Sequence, residues 1–406
     1  MTNTDVLIVG AGPSGAIAAA LLLARGHKVI VLEKTRFPRF SIGESLLPQC
    51  MQFIESANMV QAVVDAGYQH KNGAVFLGRG KRVAFDFRDK LSPGWGTTFQ
   101  VMRADFDHLL AREAERQGAD VRYEQEIIKC DVSEGRVRVQ AQAAGGERLE
   151  YTGRFLLDAS GFGRALPRLL KLERPSAFPV RRSINTHVAD RISHPDYDRN
   201  KILIAVHPDH HDVWYWLIPF HSGRSSIGVV ARESFFDGLP SDPMTRIKTL
   251  IQQEPGLASL LKEAEYDTQV REVTGYSADV TNLWGPGYAL LGNAGEFLDP
   301  VFSSGVTIAM KSASLASAVL HDQLTGKAVD WDRDFAIPLR RGIDTFRAFV
   351  EAWYDGRFQD IVFFERQQAE VKRMIASVLA GYAWDERNPY VQQPQRLDVL
   401  AQICRS

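Results

Sequence analysis

A glycine-rich segment near the N-terminus has the spacing that proteins use to hold phosphate groups. Gly10, Gly12 and Gly15 fit the pattern GxGxxG. The first glycine permits a tight turn, the second lets the backbone approach a pyrophosphate, and the third lets a helix pack on a strand. Glu33 lies 18 residues after Gly15, where an acidic side chain can accept hydrogen bonds from a ribose. Together these residues predict a dinucleotide site.

Further along the chain, two tryptophans and two serines have suggestive spacing. Trp214 and Trp216 alternate in WYWLIP, which would place both indoles on one face of a strand. Packing in an aromatic-rich core strand is the alternative. Ser303 and Ser304 precede Gly305, where small hydroxyls and free N–H groups at a helix start can hold a small anion. Ser303 can also be the N-cap of that helix.

The elements around the glycine segment follow from hydrophobic patterning. Residues 5–10 form a β-branched run, residues 14–25 a helical stretch, and residues 27–33 a second apolar run. Strand, helix and strand in this order predict a right-handed βαβ unit of a parallel sheet. The glycine turn then lies at the carboxyl end of the first strand.

The remaining elements predict an α/β fold with a Rossmann-like parallel sheet, an inserted mainly antiparallel β substrate domain and a C-terminal helical region. Helices are predicted at 45–66, 103–117, 243–263, 305–324 and 331–406. Strands are predicted at 74–87 on an exposed sheet edge, at 136–143 and 147–157 as a hairpin, within 182–232, and from 288. The expected domains are a dinucleotide-binding domain of 1–70, 98–178 and 275–330, a substrate domain of 71–97 and 179–274, and a helical region of 331–406.

Composition excludes several classes of function. Lys and Arg number 48 against 49 Asp and Glu, so the net charge of −1 gives no global attraction for nucleic acid or an anionic membrane. No apolar stretch approaches the roughly 20 residues that span a bilayer. Three scattered cysteines without CxxC spacing favour a reducing compartment, and we expect a cytoplasmic protein. The cluster of His207, His210 and His211 lies in a predicted turn, so no metal is expected.

Two distant segments complete the pattern of a flavin site. Asp158–Gly161 (DASG) follows a strand, and Gly292–Gly295 (GNAG) precedes Asp299 and a helix. With the fingerprint, they resemble the DG and GD elements of the aromatic-hydroxylase class of FAD proteins. The resemblance implies that the backbone after Asp299 lies against the flavin ring, where a helix dipole stabilises reduced flavin. Asn293 replaces the usual Asp of the class, and Arg103 matches its arginine that reaches FAD, although a surface helix-capping arginine is the alternative.

Other motifs resemble flavin-dependent halogenases. WYWLIP matches their WxWxIP signature, and the resemblance implies an apolar wall that keeps the organic substrate from the flavin peroxide. FSSGV resembles their SSGV or STG turn, which implies a halide site.

Lys71, in HKNGAVF, stands at the lysine of halogenases of phenols, pyrroles and carrier-bound acyl groups, where the amine holds or relays hypohalous acid. Burial would lower the pKa of that amine; a solvated loop lysine is the alternative. Phe302 replaces the glutamate of tryptophan halogenases, which argues against free tryptophan as substrate.

The segment FPRFSIGES resembles the halogenase loop that covers the flavin and couples it to the halide site, with Glu44 and Ser45 as its main residues. Its alternative is a helix start capped by Ser41 or Ser45. The residues expected to bind FAD are Gly10, Gly12, Pro13, Ser14, Gly15, Glu33, Lys34, Arg39, Gly43, Glu44, Ser45, Arg103, Asp158, Gly161, Gly292, Asn293, Asp299, Pro300, Gly305 and Val306.

The resemblance implies an FAD-dependent halogenase of an electron-rich aromatic, free or bound to a carrier protein, acting through flavin hydroperoxide and hypohalous acid. Its catalytic residues would be Lys71, Trp214, Trp216, Ser303 and Ser304. Only one GxGxxG occurs, so reduced flavin is expected from NAD(P)H or a separate flavin reductase, with O2 and chloride or bromide as co-substrates. Two alternatives stay open. One is a monooxygenase, desaturase or reductase of the same fold without halide chemistry; the other is a scaffold that holds FAD without catalysis.

Overall fold

The structure is a computed structural model and describes residues 2–405. These residues form one six-stranded, one seven-stranded, one four-stranded and two two-stranded sheets. The strands are β1 Thr2–Asn3, β2 Val6–Val9, β3 Val29–Leu32, β4 Gln69–Lys71, β5 Gly73–Gly78, β6 Lys81–Asp86, β7 Thr98–Gln100, β8 Asp120–Arg122, β9 Gln125–Ser133, β10 Arg136–Ala143, β11 Arg148–Gly153, β12 Phe155–Asp158, β13 Glu173–Arg174, β14 Arg181–Ala189, β15 Lys201–Val206, β16 Trp214–Pro219, β17 Arg224–Arg232, β18 Arg271–Thr274, β19 Asp279–Val280, β20 Trp284–Gly285 and β21 Tyr288–Leu290.

The α-helices of the described chain divide between the core and a C-terminal region. They are α1 Pro13–Leu23, α2 Gln49–Ser56, α3 Val60–Asp65, α4 Arg103–Arg116, α5 Ala165–Leu169, α6 Pro243–Gln253, α7 Pro255–Leu260, α8 Gly305–Leu324, α9 Ile337–Tyr354, α10 Arg357–Val362, α11 Ala369–Leu379, α12 Pro389–Gln392 and α13 Arg396–Arg405. Short 3₁₀ turns lie at Gly161–Gly163, Glu233–Phe236 and Gly292–Ala294, and a π-helical turn at Asp332–Ala336 precedes α9.

The six-stranded sheet has the order β20-β21-β12-β2-β3-β8, and all its pairings except β20 with β21 are parallel. Every residue of β2, β3 and β12 is buried, as expected of parallel strands covered on both faces. Helices α1 and α8 pack against each other beside this sheet. The parallel-sheet fold class and the predicted βαβ unit are therefore confirmed.

The seven-stranded sheet has the order β18-β14-β17-β16-β15-β5-β6 and is antiparallel except between β15 and β5. Along β16, Trp214 and Trp216 face the large core shared with the parallel sheet, whereas Tyr215 and Leu217 face a second core with α6 and α7. This alternation follows from the two-residue period of a strand. The inserted, mainly antiparallel sheet is thus confirmed, while the exact domain limits stay a prediction.

Four predicted elements are divided in the structure. The region expected at 74–87 on a sheet edge is the antiparallel pair β5 and β6, of which only β6 lies at the edge. The helix expected at 45–66 is α2 and α3, because Pro48 forms the N-cap of α2 and Asn58 adopts φ +57° between the two helices. The helix expected at 243–263 breaks before Pro255, which has no N–H to donate. The strand expected at 147–157 is β11 and β12, which belong to different sheets.

Helices α9 to α13 form the predicted C-terminal helical region. Its aromatic side chains pack on the loop before α8, where the Phe302 ring lies 5.3 to 6.2 Å from those of Phe349, Trp353 and Phe358. Phe302 is therefore a buried packing residue. The C-terminal region consequently helps to fix the loop that begins α8.

Candidate active site

The predicted site elements lie in one row along the parallel sheet. Strands β3, β2 and β21 are followed by Glu33, Gly10 and Gly292 respectively, and β12 ends at Asp158. These four strands are adjacent and parallel. Because the carboxyl ends of parallel strands meet at one edge of a sheet, these four elements share one crevice. A row of this kind suits an elongated ligand such as a dinucleotide.

The glycine turn is closed to side chains where the backbone packs and open where a ligand would lie. A Cβ on Gly10, which has φ +93°, would lie 2.6 Å from the Ala159 carbonyl oxygen, and a Cβ on Gly15 would lie 1.9 Å from that of Gly10. A Cβ on Gly12, in contrast, would have the Arg39 guanidinium as its nearest neighbour, at 3.5 Å. The Arg39 guanidinium, which pairs with Asp107 at 3.2 Å, therefore lies next to the Gly12 backbone, where a cation suits a pyrophosphate. Pro13 and Ser14 form the buried first turn of α1 behind it.

Glu33 is buried and ties the end of β3 to the glycine turn. Its carboxylate accepts hydrogen bonds from the backbone N–H of Ala11 at 2.9 Å and from the N–H and hydroxyl of Thr35 at 2.9 and 2.7 Å. A carboxylate offers about four acceptor positions, so one is left for a ribose hydroxyl. The neighbouring Lys34 forms a surface ion pair with Glu126.

Asp158 shapes its turn through the backbone. Its two oxygens accept hydrogen bonds from the N–H groups of Ser160 at 2.9 Å and Leu166 at 2.7 Å. Full burial raises the pKa of this carboxyl. With Gly161 at φ +59°, these bonds turn the chain away from the end of β12. Asp158 is accordingly a positioning residue for this part of the crevice.

Gly292 allows the next turn to contact helix α8. It has φ +53°, and a Cβ there would lie 2.7 Å from that of Ala309. The side-chain oxygen of Asn293 lies 3.8 Å from the Cβ position of Gly305, so the residue that replaces the usual Asp faces the first turn of α8. Asn293 therefore lies where an amide can bind a ligand at this helix start.

The start of α8 combines free N–H groups with uncommitted hydroxyls. Ser303 has φ +56°, and its N–H bonds to the Pro300 carbonyl at 2.9 Å, which closes a turn. The N-cap is Ser304, not Ser303 as the helix-cap alternative supposed, and it makes no side-chain capping bond. Within residues 2–405 neither hydroxyl has a hydrogen-bond partner. Free donors at the start of a 20-residue helix suit a small anion.

Lys71 is 1% exposed and is held by the loop that precedes α2. Its amine donates hydrogen bonds to the Ser45 hydroxyl and the Leu46 carbonyl, both at 2.7 Å. Burial lowers the pKa of this amine to about 7, an effect that the nearby Cys50 partly opposes. A solvated loop lysine would be exposed, whereas Lys71 is buried, so that alternative is wrong.

The same loop reaches the start of α8. A Cβ on Gly43, at φ +97°, would lie 3.0 Å from the Arg103 guanidinium and 3.8 Å from the Val306 side chain. Arg103 is buried, pairs with Asp107, and donates to the Ile42 carbonyl at 2.6 Å. It is therefore no surface cap; it fixes the loop. Residues 42–46 therefore lie between the start of α8 and the Lys71 amine.

Glu44 in this loop has a partner that the sequence did not reveal. Its carboxylate lies 2.8 Å from Nε2 of His187 on β14, and Glu44 is buried. His187 also packs edge-on against Phe220. No local motif marks His187, because only the fold brings β14 to the loop 143 residues earlier in the chain.

Asp299 anchors a buried polar cluster that also escaped the sequence analysis. One carboxylate oxygen accepts hydrogen bonds from the hydroxyls of Tyr354 at 2.8 Å and Tyr276 at 3.2 Å. Trp214 donates its indole N–H to Tyr354 at 2.9 Å, and the Arg181 guanidinium lies 3.3 Å from the centre of the Tyr354 ring. Burial raises the pKa of Asp299. The cluster joins the tryptophan strand, the loop before α8 and helix α9.

The remaining sequence signals lie away from this crevice. His207 packs against Tyr215, Phe235 and His210. Among residues 2–405, no group of three or more His, Cys, Asp or Glu side chains is arranged to hold a metal ion. No helix in that part of the chain is both long and apolar enough to cross a membrane.

Comparisons with known proteins agree with this geometry. The FAD binding domain family matches residues 3–336. A tryptophan 2-halogenase from Chondromyces crocatus is 32% identical over 80% of this chain and 62% of its own length, so the chain spans less than two thirds of that relative. A brominase of pyrrole-2-carbonyl groups on a peptidyl-carrier protein, from Pseudoalteromonas luteoviolacea, is 28% identical over 82% of this chain and 80% of its own. A solved flavoprotein/dehydrogenase from Cytophaga hutchinsonii is 42% identical, covers 99% of both chains and has a TM-score of 0.96.

Proposed function

The chain belongs to the FAD-binding family of flavin-dependent halogenases and related oxidoreductases, and on this premise we propose that it halogenates an electron-rich aromatic substrate. The observation that carries the proposal is the buried Lys71 amine with its pKa lowered to about 7. An amine of that pKa is about half neutral at pH 7, so its nitrogen lone pair is available to hypohalous acid. Solvated lysines, with a pKa near 10.4, offer very little of this form.

Bound FAD, once reduced, would supply with O2 the oxidising power that converts chloride or bromide to hypohalous acid. The crevice residues that would hold it are Gly12 and Arg39 at the pyrophosphate, Glu33 at the ribose, and Asn293 with the backbone after Asp299 towards the flavin. Reduced flavin comes from NAD(P)H or from a separate reductase. The three free cysteines suit a cytoplasmic location.

The start of α8 holds the halide. The hydroxyls of Ser303 and Ser304 and the N–H groups of Gly305 and Val306 donate to the anion there. A positive helix terminus favours an anion by about 0.3–1 kcal/mol, so this site at the start of α8 binds a halide weakly and allows its exchange.

Trp214 and Trp216 form the apolar wall of the site. Their indole N–H groups are bound to Tyr354 at 2.9 Å and to the Ser226 hydroxyl at 3.1 Å, so the rings present only apolar surface. Apolar surface does not hydrogen-bond hypohalous acid and excludes water that would dilute it. The oxidant then reaches the Lys71 amine, which holds it by hydrogen bonding or as a haloamine, with release of water in the second case.

The substrate is an electron-rich aromatic, either free or joined to a carrier protein. Electrophilic halogen transfer requires such a ring. The carrier-bound class is supported by the brominase relative, whose length the match covers well. Phe302 in place of a glutamate argues against free tryptophan.

A second candidate is an FAD-dependent oxidoreductase without halide chemistry. The observation in its favour is the likeness to the flavoprotein/dehydrogenase, which extends over the whole chain, including the C-terminal helices. Such an enzyme, a monooxygenase, desaturase or reductase, turns over in halide-free buffer. A scaffold that merely holds FAD shows no substrate-dependent flavin oxidation.

The test is bromination by the FAD-loaded protein. The enzyme is reduced anaerobically and mixed with aerated buffer, bromide and a phenol or a carrier-bound aryl thioester, and the products are analysed by mass spectrometry. We expect a bromine isotope pattern that Lys71→Ala removes while flavin oxidation continues at its normal rate. The matched control is Lys327→Ala, a surface lysine after α8. Added oxygen without bromine, or turnover that is independent of halide, would move the assignment to the second candidate.

A further inference from the structure

A cavity of about 670 Å³ lies between α2, helix α8 and the C-terminal region. Its walls come from α2, the segment before β7, helix α8 and the C-terminal region, and include Gln49, Trp95, Lys311, Tyr382 and Trp384. Cavities of roughly 300–1,000 Å³ hold small-molecule ligands.

The aromatic walls are fixed by hydrogen bonds to backbone carbonyls. Tyr382 donates its hydroxyl to the Trp95 carbonyl at 2.8 Å, and Trp384 donates its indole N–H to the Pro338 carbonyl at 2.9 Å. A Cβ on Gly342 would lie 2.0 Å from the Trp384 ring, so that glycine makes room for the indole. Rings held in this way stack on a planar aromatic ligand.

Lys311 is the one charged side chain of the cavity without a polar partner. Glu55 accepts a hydrogen bond from Trp95, and Asp385 pairs with Arg387. Within the described residues, Lys311 has no carboxylate within 4.0 Å, and its ammonium lies 5.6 Å from the centre of the Trp384 ring. A partly buried ammonium without an anion favours a negatively charged ligand group.

Gln49 offers the cavity an unpaired hydrogen-bond acceptor. It is 7% exposed, and its side-chain oxygen is buried without a hydrogen-bond partner. A buried acceptor of this kind is satisfied by a donor such as a phenolic hydroxyl. The cavity therefore combines ring faces with a site for an anion and a site for a hydroxyl.

The cavity adjoins the Lys71 loop. Leu46, which accepts a hydrogen bond from Lys71, lies three residues before Gln49, and Cys50 after Gln49 contacts Thr307 of α8 at 3.1 Å. Lys311 follows Thr307 by one helical turn, about 6 Å along the axis. Gln49 and Lys311 therefore lie on two helices in contact, α2 and α8, that both wall the cavity.

We infer that this cavity binds the aromatic substrate as a hydroxyaryl group with an attached anion, the hydroxyl bound by Gln49 and the anion by Lys311. The inference rests on the proposed function, since it names the substrate class of the same site. The anion is either a carboxylate on the ring or the phosphate of a phosphopantetheine arm on a carrier protein. In both cases the ring position next to the hydroxyl is the most reactive towards an electrophile.

The test is calorimetric binding to the FAD-loaded protein of two pairs of compounds that differ in charge. The first pair is 4-hydroxybenzoate and 4-hydroxybenzamide; the second is the 4-hydroxybenzoyl thioester of phosphopantetheine and that of pantetheine. We expect the charged member of one pair to bind roughly tenfold to a hundredfold more tightly than its neutral partner. Which pair shows the preference identifies the source of the anion.

Variants assign the preference to Lys311. Lys311→Met should abolish it, Lys311→Arg should retain most of it, and the surface control Lys327→Met should leave it unchanged. Equal affinity within both pairs, or a preference that survives Lys311→Met, would overturn the inference. Lys71-dependent bromination without any charge preference would reject the cavity and keep the proposed function. Lys311-dependent binding without bromination would keep the cavity as a binding site and reject the proposed halogenation.

Discussion

Lys71 makes a quantitative prediction about stability because its charge is expensive to bury. Its amine is fully enclosed, and burial lowers its pKa from 10.5 to about 7. Lys71→Met keeps an unbranched chain of similar volume and removes the ionisable group. The substitution also deprives the Ser45 hydroxyl and the Leu46 carbonyl of their donor, which costs about 1–3 kcal/mol at any pH.

The magnitude follows from the two pKa values. One pKa unit corresponds to about 1.36 kcal/mol, so a shift from 10.5 to about 7 corresponds to on the order of 5 kcal/mol. Because the folded pKa is the lower one, the unfolded chain binds the proton more tightly. The destabilisation by Lys71 is therefore complete below pH 7 and disappears as the pH rises from about 7 to 10.5. Lys71→Met should be more stable than wild type at pH 6, and this advantage should fall by roughly 2–3 kcal/mol between pH 7 and pH 9.

Urea denaturation of the FAD-loaded proteins, followed by tryptophan fluorescence at pH 6, 7, 8 and 9 and one FAD concentration, measures this difference. The other titrating groups are common to both proteins and cancel. Lys327→Met, whose lysine pairs with Asp322 at the surface, should differ from wild type by the same amount at every pH. A Lys71→Met advantage that stays constant from pH 7 to pH 9 would refute the lowered pKa, and with it the neutral amine that the proposed function requires.

Three further changes test other parts of the site. Asp158→Asn removes one of the two acceptors for the Ser160 and Leu166 N–H groups. We therefore expect the free energy of unfolding to fall by about 1–3 kcal/mol and FAD binding, measured by titration, to weaken. Wild-type values for both quantities would show that the turn does not need the carboxylate. Arg39→Met should weaken FAD binding at least tenfold, roughly 1.4 kcal/mol, whereas Arg112→Met on the exposed face of α4 should not; equal effects would contradict a role at the pyrophosphate. Trp214→Phe keeps an aromatic ring but loses the hydrogen bond to Tyr354. We expect the variant to release more hydrogen peroxide per brominated product than wild type. An unchanged ratio of peroxide to product would show that the indole N–H has no role in the reaction.

Local steric rules explain why part of the site was predictable. Gly10 and Gly15 leave no space for a Cβ, so any sequence that makes this turn must have glycine there. Helix α8 begins at Gly305 and ends at Leu324 as the pattern predicts, because its start is marked by small turn residues and its end by Gly326. Lys71 was selected by its flanking residues, and the structure supplied its burial.

Long-range contacts explain what the sequence did not reveal. His187 meets Glu44 from a strand 143 residues away, and Tyr354 meets Asp299 across 55 residues. Neither residue lies in a local motif, since the chemical environment of each is created by the packing of two sheets and a helix. For Arg103 the sequence predicted the residue but not its contacts. Its position was predicted, but its main bonds are to Asp107 and to the Ile42 carbonyl, and these make it a residue that positions the loop.

The arrangement of the C-terminal region gives a reason why it belongs to the active site. Tyr354, the last residue of α9, accepts a hydrogen bond from the tryptophan wall and donates one to Asp299 at the loop before α8. Tyr382 and Trp384, farther along the region, line the cavity next to the Lys71 loop. The same region thus contacts the tryptophan strand, the loop before α8 and the inferred substrate cavity. A change of substrate within this fold is therefore expected to involve residues 331–405 more than the sheet crevice, because the crevice is fitted to a cofactor that all such enzymes share.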